Sequence, residues 1–97
     1  MMTDNNVIYG CSVKDWLIVS VDDDKVKGRF LYGIVVLDKV GRFNKDDYVF
    51  TSPIIFIDEE SSIIQTHNNK YLVIGEGKSV TYNLPQAILL KQFGVLS

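Results

Sequence analysis

Six short stretches of the chain are rich in β-branched and aromatic residues, and each one ends in polar residues or glycine. These stretches are 16–21, 29–37, 48–57, 62–66, 71–74 and 79–83. Alternation of apolar runs with turn residues is typical of β-strands. Parallel pairing needs long crossovers, whereas the connections here are short. The pattern therefore predicts an antiparallel β-meander over residues 16–83.

The second stretch is apolar on both of its faces. The alternating sets are Phe30, Tyr32, Ile34 and Val36 on one face, and Leu31, Val35 and Leu37 on the other. A strand of this kind must be covered on both sides. Curling of the sheet into a small barrel, or docking of a helix and a partner chain, can provide the cover. Pro53 cannot donate a hydrogen bond to a neighbouring strand, so it indicates an edge or a bulge.

The last part of the chain predicts one helix over residues 84–94. Asn83 can cap its first turn, Pro85 suits that turn, and Gly94 suits its end. The apolar stripe expected to pack on the sheet consists of Leu84, Ile88, Leu89 and Phe93. The core predicted from both kinds of element consists of Trp16, Ile18, Ile34, Val36, Ile55, Leu72, Ile74, Ile88 and Phe93.

A chain of 97 residues predicts one domain, because it leaves no room for a second core. We therefore expect a mainly β, α+β domain over residues 1–97. It comprises an N-terminal arm at 1–11, the curled meander at 16–83 and the helix at 84–94. One short helix cannot cover every strand that is apolar on both faces, so we also expect self-association as a homodimer.

Charge and cysteine content exclude several classes of protein. A net charge of −2 provides no field that would hold nucleic acid or an anionic membrane, so neither is an expected partner. The single Cys11 excludes an internal disulfide, fits a reducing cytoplasm and is expected to be buried. No apolar run approaches the roughly 20 residues of a membrane span, and the polar N-terminus lacks the apolar core of a signal peptide.

Two segments nearly repeat each other, DKVKGRF at 24–30 and DKVGRF at 38–43. In the second segment, Asp38 can accept hydrogen bonds from the turn backbone and Gly41 can adopt the left-handed conformation. Asp24 and Gly28 would do the same in the first. The similarity covers about six residues, too few for a repeat unit that folds. The pattern therefore predicts two turns of similar chemistry rather than a duplicated site.

No combination of residues predicts a catalytic or metal site. The segment GEGKS at 75–79 is similar to the end of a phosphate-binding loop, but Leu72 stands where the motif needs glycine. A strand is expected to follow it instead of a helix, so a hairpin turn is predicted. His67 lacks the surroundings of a hydrolytic site, and the acidic residues lack the spacing of a calcium loop. We therefore expect no enzyme activity, no metal and no cofactor.

Many of the carboxylates fall in three connections that a simple meander would place at one end of the sheet. They are Asp22, Asp23, Asp24, Asp58, Glu59, Glu60 and Glu76. This acidic patch is either a solvated rim that keeps the protein soluble or a binding surface. A binding surface of this charge would steer the domain onto a basic groove of a partner protein.

A pattern spread over residues 15–78 resembles a family of small uncharacterised proteins encoded by bacteriophages and prophages. It consists of Asp15-Trp16, Tyr32-Gly33, Val36, Asp38, Gly41-Arg42-Phe43, Asp47, Val49, Thr51-Ser52, Asn69, Tyr71, Gly75 and Gly77. The resemblance implies a phage accessory protein in the cytoplasm of a bacterial host. Small acidic proteins of this class often bind and inhibit host proteins.

Two functional hypotheses follow. The first is a non-enzymatic protein-binding module, namely a phage-encoded inhibitor of host defence of the anti-CRISPR kind. Its partner would be a host protein such as a nucleic-acid-binding effector. The alternative is a protein that binds a small ligand or nucleotide, with weak hydrolase activity. The absence of a catalytic motif favours the first hypothesis.

Overall fold

The computed structural model describes residues 9–39 and 41–94. Within this part of the chain, six strands and one helix follow one another. They are β1 (Cys11–Asp22), β2 (Lys27–Asp38), β3 (Tyr48–Asp58), β4 (Ile63–Thr66), β5 (Lys70–Val73), β6 (Lys78–Tyr82) and α1 (Leu84–Phe93). The predicted mainly β fold with one C-terminal helix is confirmed. Strand β1 begins before residue 16, and residues 1–8 of the predicted N-terminal arm lie outside the described residues.

The first five strands form a meander that curls into a closed ring. Consecutive strands from β1 to β5 pair antiparallel, and the ring closes where β5 pairs parallel with Cys11–Val13 of β1. The curled, barrel-like sheet is therefore as predicted, but its parallel closure is not. A parallel pair needs a long connection between its two strands, and here the intervening strands of the meander provide that connection.

Strand β6 departs from the meander. It continues in the direction of β5 and pairs parallel with the second half of β1, from Leu17↔Lys78 to Val21↔Tyr82. The prediction that 75–79 forms a hairpin turn is therefore wrong. Gly75, with a φ of 76°, turns the chain away from β5, and the chain rejoins the same side of β1 at Lys78. The chain does continue as a strand and not as a helix. The prediction that this segment is not a phosphate-binding loop rested on that expectation.

Buried side chains form two clusters along a molecule of 46 × 24 × 23 Å. The first, called the ring core, lies inside the closed ring and contains Cys11, Val13, Leu31, Val35, Val49, Ile64, Tyr71 and Val73. The second, called the helix core, lies between β1 and α1 and contains Val19, Val21, Ala87 and Leu90. The ring and the helix thus cover different parts of the long strand β1.

In β2, the predicted core residues lie on the wrong face of the strand. Leu31 and Val35 are fully buried in the ring, whereas the predicted core residues Ile34 and Val36 are only partly buried. Both faces of β2 are apolar, so the pattern of apolar residues does not show which face lies inside. Gly33 faces inward, because a Cβ atom there would lie 2.8 Å from the Cβ atom of Val13.

The other predicted core residues are also less buried than expected. Trp16, Ile18 and Leu72 are partly buried. The residues that are exposed instead of buried are Ile55, Ile74, Ile88 and Phe93. Several apolar side chains of this chain therefore lie on the surface. This is common, because apolar atoms contribute more than half of the accessible surface of a folded protein.

Helix α1 begins and ends where the sequence predicts. The Asn83 side chain accepts a hydrogen bond from the Gln86 backbone N–H, and the Gln86 side chain accepts one from the Asn83 N–H. This reciprocal capping box satisfies two backbone donors of the first turn. Gly94 adopts the left-handed conformation, with a φ of 74°, and ends the helix.

The predicted packing face of α1 is wrong. Ala87 and Leu90 are the buried residues of the helix, whereas Ile88, Leu89 and Phe93 are exposed. Because α1 carries apolar residues around much of its circumference, their spacing does not determine which face packs. The rotation of the helix is fixed by the sheet on which it lies.

Two tyrosines of the sheet hold the C-terminal end of α1. The Tyr32 hydroxyl donates a hydrogen bond to the Gly94 carbonyl at 2.6 Å, and the Tyr48 hydroxyl donates one to the Lys91 carbonyl at 2.8 Å. These bonds satisfy carbonyl groups that have no partner within the helix. They attach the last turn of α1 to β2 and β3.

The two similar segments form two strand connections, but through different residues. The Asp38 carboxylate accepts hydrogen bonds from two backbone N–H groups of its loop at 2.7 and 2.9 Å, and Gly41 is left-handed with a φ of 84°, as predicted. In the first connection, Asp23 instead of Asp24 accepts a hydrogen bond from the backbone. Gly28 lies within β2, so the predicted equivalence of the two turns is only partial.

Candidate functional site

Strand β1 contains a bulge at Asp15 and Trp16. Its register with β2 shifts between Lys14 and Leu17, so that these two residues lie opposite the single Gly33. Asp15 has a φ of 48°, a conformation that costs a residue with a side chain roughly 1–2 kcal/mol. Bulges change the direction of side chains, and backbone strain is concentrated at functional sites.

The chain around the bulge holds the indole of Trp16 in place. Strand β1 pairs with β5 before the bulge and with β6 after it, and residues 74–77 connect these two strands beside the indole. The Trp16 Nε1 donates a hydrogen bond to the Gly75 carbonyl at 3.1 Å. Gly77 lies against the ring, because a Cβ atom there would be 2.3 Å from its carbon atoms. Only glycine at position 77 allows this contact.

Trp16 lies between two open pockets. One has a volume of about 210 Å³, and the other residues that line it are Ile57, Asp58, Glu59, Ser62, Ile64 and Val73. The second has a volume of about 200 Å³, and its other lining residues are Asp15, Leu17, Glu76 and Lys78. Carboxylates therefore stand on both sides of a half-buried indole. We call Trp16 together with Asp15, Asp58, Glu59 and Glu76 the Trp16 site.

The chain matches the family described as a domain of unknown function, DUF6957, over residues 3–89. It belongs to this family. The match extends beyond the predicted 15–78 at both ends and includes the first part of α1. No curated protein and no solved structure matches the chain. The chemistry of the DUF6957 domain must therefore be inferred from its site.

The fold of this DUF6957 domain divides the predicted acidic patch into two parts. Asp58, Glu59 and Glu76 lie at the Trp16 site, and Glu60 follows Glu59 in the same turn. Asp22 ends β1, and residues 23 and 24 begin the connection to β2. They lie roughly 20 Å from Trp16 along β1, at about 3.3 Å per residue.

The stagger of the ring explains this division. Following the strand register from Asp58 leads through Ile63 and Leu72 to Ser12, near the start of β1 rather than its end. Strands of a closed sheet are staggered in this way, whereas the prediction assumed a flat meander. Glu76 lies beside the middle of β1 because its segment is not a hairpin turn.

Sequence reasoning placed Trp16 in the core and did not recognise Asp15 as a site residue. Nevertheless, Asp15, Trp16, Gly33, Gly75 and Gly77 are all among the residues of the pattern noted over 15–78. The structure brings these five residues together at the bulge. An Asp-Trp pair in a strand, together with glycines that admit an aromatic ring, is the signal that could have identified the site.

The Cys11 thiol is unsuited to nucleophilic chemistry. It is fully buried, as predicted, and this burial, reinforced by Asp38 and opposed by Arg42, raises its pKa from 9.0 to about 11. The thiol therefore stays protonated at neutral pH, whereas a nucleophilic cysteine needs its thiolate form.

Residues 9–39 and 41–94 provide neither a metal site nor a membrane-spanning helix. Among them, no group of three His, Cys, Asp or Glu side chains is placed to hold a metal ion. The acidic side chains of the Trp16 site are thus not gathered around one ion position. Within the same part of the chain, no helix is long and apolar enough to cross a membrane.

Proposed function

We propose that this DUF6957 domain is a non-enzymatic protein-binding module that docks through the Trp16 site onto a basic side chain of its partner. The observation that carries this proposal is an indole held by backbone contacts between two pockets, with carboxylates on both sides. Tryptophan is among the residues that most often dominate the energy of protein interfaces. The face of its ring also attracts arginine and lysine.

The charges of the site are complementary to a cation. Lys78 is the one basic residue among those that line the two pockets, against four carboxylates. None of these carboxylates forms an ion pair with another residue in the described part of the chain. Their negative charge is therefore available to a partner. Complementary charge of this kind raises the association rate and is screened by salt.

The rigidity of the site also suits protein binding. The Trp16 ring is already ordered by Gly75 and Gly77, so little side-chain freedom is lost when a partner contacts it. The two pockets are small for a drug-sized ligand, since such ligands occupy roughly 300–1,000 Å³. Pockets of this volume are better suited to single side chains of a partner protein, an arginine in particular.

The resemblance to phage-encoded proteins extends the proposal to a particular partner. The domain would be an inhibitor of a host defence protein, of the anti-CRISPR kind, acting in the bacterial cytoplasm. A nucleic-acid-binding effector has the lysines and arginines that contact phosphate groups, and the Trp16 site would occupy that basic surface.

The test is to capture partners from bacterial extract on the immobilised wild-type domain, identify them by mass spectrometry, and measure the affinity of a purified partner. We expect Trp16→Ala to weaken binding at least tenfold, which is the loss typical of a dominant interface residue. Trp16→Phe keeps an aromatic face and should retain part of the affinity. Equal affinity of Trp16→Ala and wild type would contradict the proposal.

Two pairs of charge-removing substitutions test which acidic surface contacts the partner. Asp58→Asn with Glu76→Gln removes charge while keeping side-chain size, and should slow association and reduce its salt dependence. Asp22→Asn with Asp24→Asn removes the same charge from the distant end of β1 and the connection that follows it, and should change association less. If the distant pair has the larger effect, the docking surface is at that connection instead of the Trp16 site.

A further inference from the structure

An apolar groove lies between α1 and the sheet, away from the Trp16 site. Its volume is about 360 Å³, which is within the range of ordinary small-molecule sites, roughly 300–1,000 Å³. Its apolar lining consists of Val21, Val26, Phe30, Phe50, Leu84, Ala87 and Ile88. Two charged residues, Lys25 and Lys91, complete it. We call this feature the helix groove.

The helix groove is held open by the contacts at both ends of α1. The capping box fixes the first turn, and the hydroxyls of Tyr32 and Tyr48 fix the last turn. Between these ends, Ala87 is too small to fill the space below the helix. Phe30 and Phe50 form one wall, stacked with ring centroids 5.5 Å apart. The groove is therefore preformed, which lowers the entropic cost of binding.

The two charged residues that line the groove are both lysines. Lys25 lies in the connection between β1 and β2, and Lys91 lies in the last turn of α1. Neither forms an ion pair with another described residue. The carboxylates of residues 22–24 do not line the groove, and Asp22 pairs with Lys27 at 3.7 Å.

We propose that the helix groove binds an amphipathic carboxylate, which is an apolar chain bearing one carboxylate, such as a medium-chain fatty acid. The chain would lie between the Phe30–Phe50 wall and Ile88. Ile88 lines the groove, yet 44% of its surface is exposed, so it has apolar surface to bury against a ligand. The carboxylate would meet Lys25 and Lys91, since hydrogen bonds between ionised groups are the strong ones.

The first experiment titrates the full chain at pH 7.5 with decanoate, decanol and decylammonium and measures heats of binding. The three probes share one chain and differ in charge. We expect decanoate to bind at least tenfold more tightly than decanol, and decylammonium to bind most weakly. Equal binding of decanoate and decanol, or no binding of decanoate at millimolar concentration, would overturn the proposal.

The second experiment tests the residues. Lys25→Gln combined with Lys91→Gln should reduce decanoate affinity to that of decanol and leave decanol binding unchanged. Lys14→Gln combined with Lys70→Gln removes two exposed lysines that do not line the groove and should change neither affinity. If both double variants bind decanoate alike, the groove is not the site and the proposal fails.

A groove-filling variant gives an independent readout. Ala87→Leu would place a larger side chain in the groove, so decanoate and decanol should both bind at least tenfold more weakly. Its circular dichroism and unfolding transition show whether α1 stays in place. Undiminished decanoate binding by a folded Ala87→Leu protein would also overturn the proposal.

Discussion

The two ends of the molecule cover their apolar sheet in different ways. At one end, β1–β5 close a ring, and Leu31 and Val35 are fully buried inside it. At the other end α1 lies on β1, β3 and β6 and covers them through Ala87 and Leu90. Closure of the ring leaves the ring core almost fully buried, whereas the helix leaves a groove and an exposed Phe93. Stability is therefore expected to depend most on the ring, and the helix end has more freedom to change.

The largest expected effect is loss of a ring-core side chain. Leu31→Ala should lower the free energy of unfolding by about 4 kcal/mol, because its neighbours in a closed ring cannot move into the cavity. Leu90→Ala in the helix core should cost less, about 2–3 kcal/mol, because α1 can shift toward the sheet. Chemical denaturation measures both values. A larger loss for Leu90→Ala than for Leu31→Ala would contradict the expectation that stability depends most on the ring.

A smaller effect is expected where the chain contacts Trp16. Gly77→Ala places a methyl group against the indole and should cost about 2–3 kcal/mol and shift the Trp16 fluorescence. Gly75→Ala is the matched control: its methyl group meets no atom within 4 Å, so only backbone strain of about 1–2 kcal/mol is expected. A fluorescence shift in Gly75→Ala but not in Gly77→Ala would contradict the observed packing.

The ring core should also weaken in alkali. Burial raises the pKa of Cys11 from 9.0 to about 11, so between these values the folded state retains a proton that the unfolded state loses. The contribution of Cys11 to the free energy of unfolding is then fully present below pH 9. It falls by at most about 1.4 kcal/mol per pH unit up to pH 11. Burial also raises the pKa of Tyr71 above 10.0, which adds a loss at higher pH. Denaturation of Cys11→Ala across this range should show a shallower fall from pH 9, and an equally steep fall would exclude Cys11 as its cause.

The smallest effect is expected on the exposed face of α1. Phe93 is 64% exposed, so Phe93→Ala should cost less than about 1 kcal/mol, as most surface substitutions do. Thermal or chemical unfolding measures this loss beside that of Leu90→Ala. A cost of about 3–5 kcal/mol, typical of a buried Phe, would mean that α1 packs through the face predicted from its sequence.

Local chemistry allowed part of the fold to be predicted, because the determinants of each element lie within a few residues. Asn83 and Gly94 fix the ends of α1, and Pro53 lies where β3 changes partner from β2 to β4. The inward face of β2 could not be predicted, because both of its faces are apolar and only ring closure distinguishes them. The pairing of β6 was missed for a similar reason: Gly75 and Gly77 allow either a hairpin turn or a passage around Trp16.

The site was harder to predict than the fold. Its carboxylates come from β1, from the end of β3 and the turn after it, and from the segment before β6. Only the stagger of the ring brings them to Trp16. Residues 22–24 are as acidic as residues 58–60, so charge alone could not distinguish the two turns. The bulge at Asp15 depends on the register of β1 with β2, which a single strand does not encode.

Fluorescence of Trp16 tests the proposed function most directly, because it is the only tryptophan of the chain. The measurement is a titration with the captured partner at low and high salt. If the partner places a basic side chain on the indole, the emission should change saturably, and the affinity derived from it should match an independent assay and fall with salt. Binding of the partner that leaves Trp16 emission unchanged would contradict the proposed docking site.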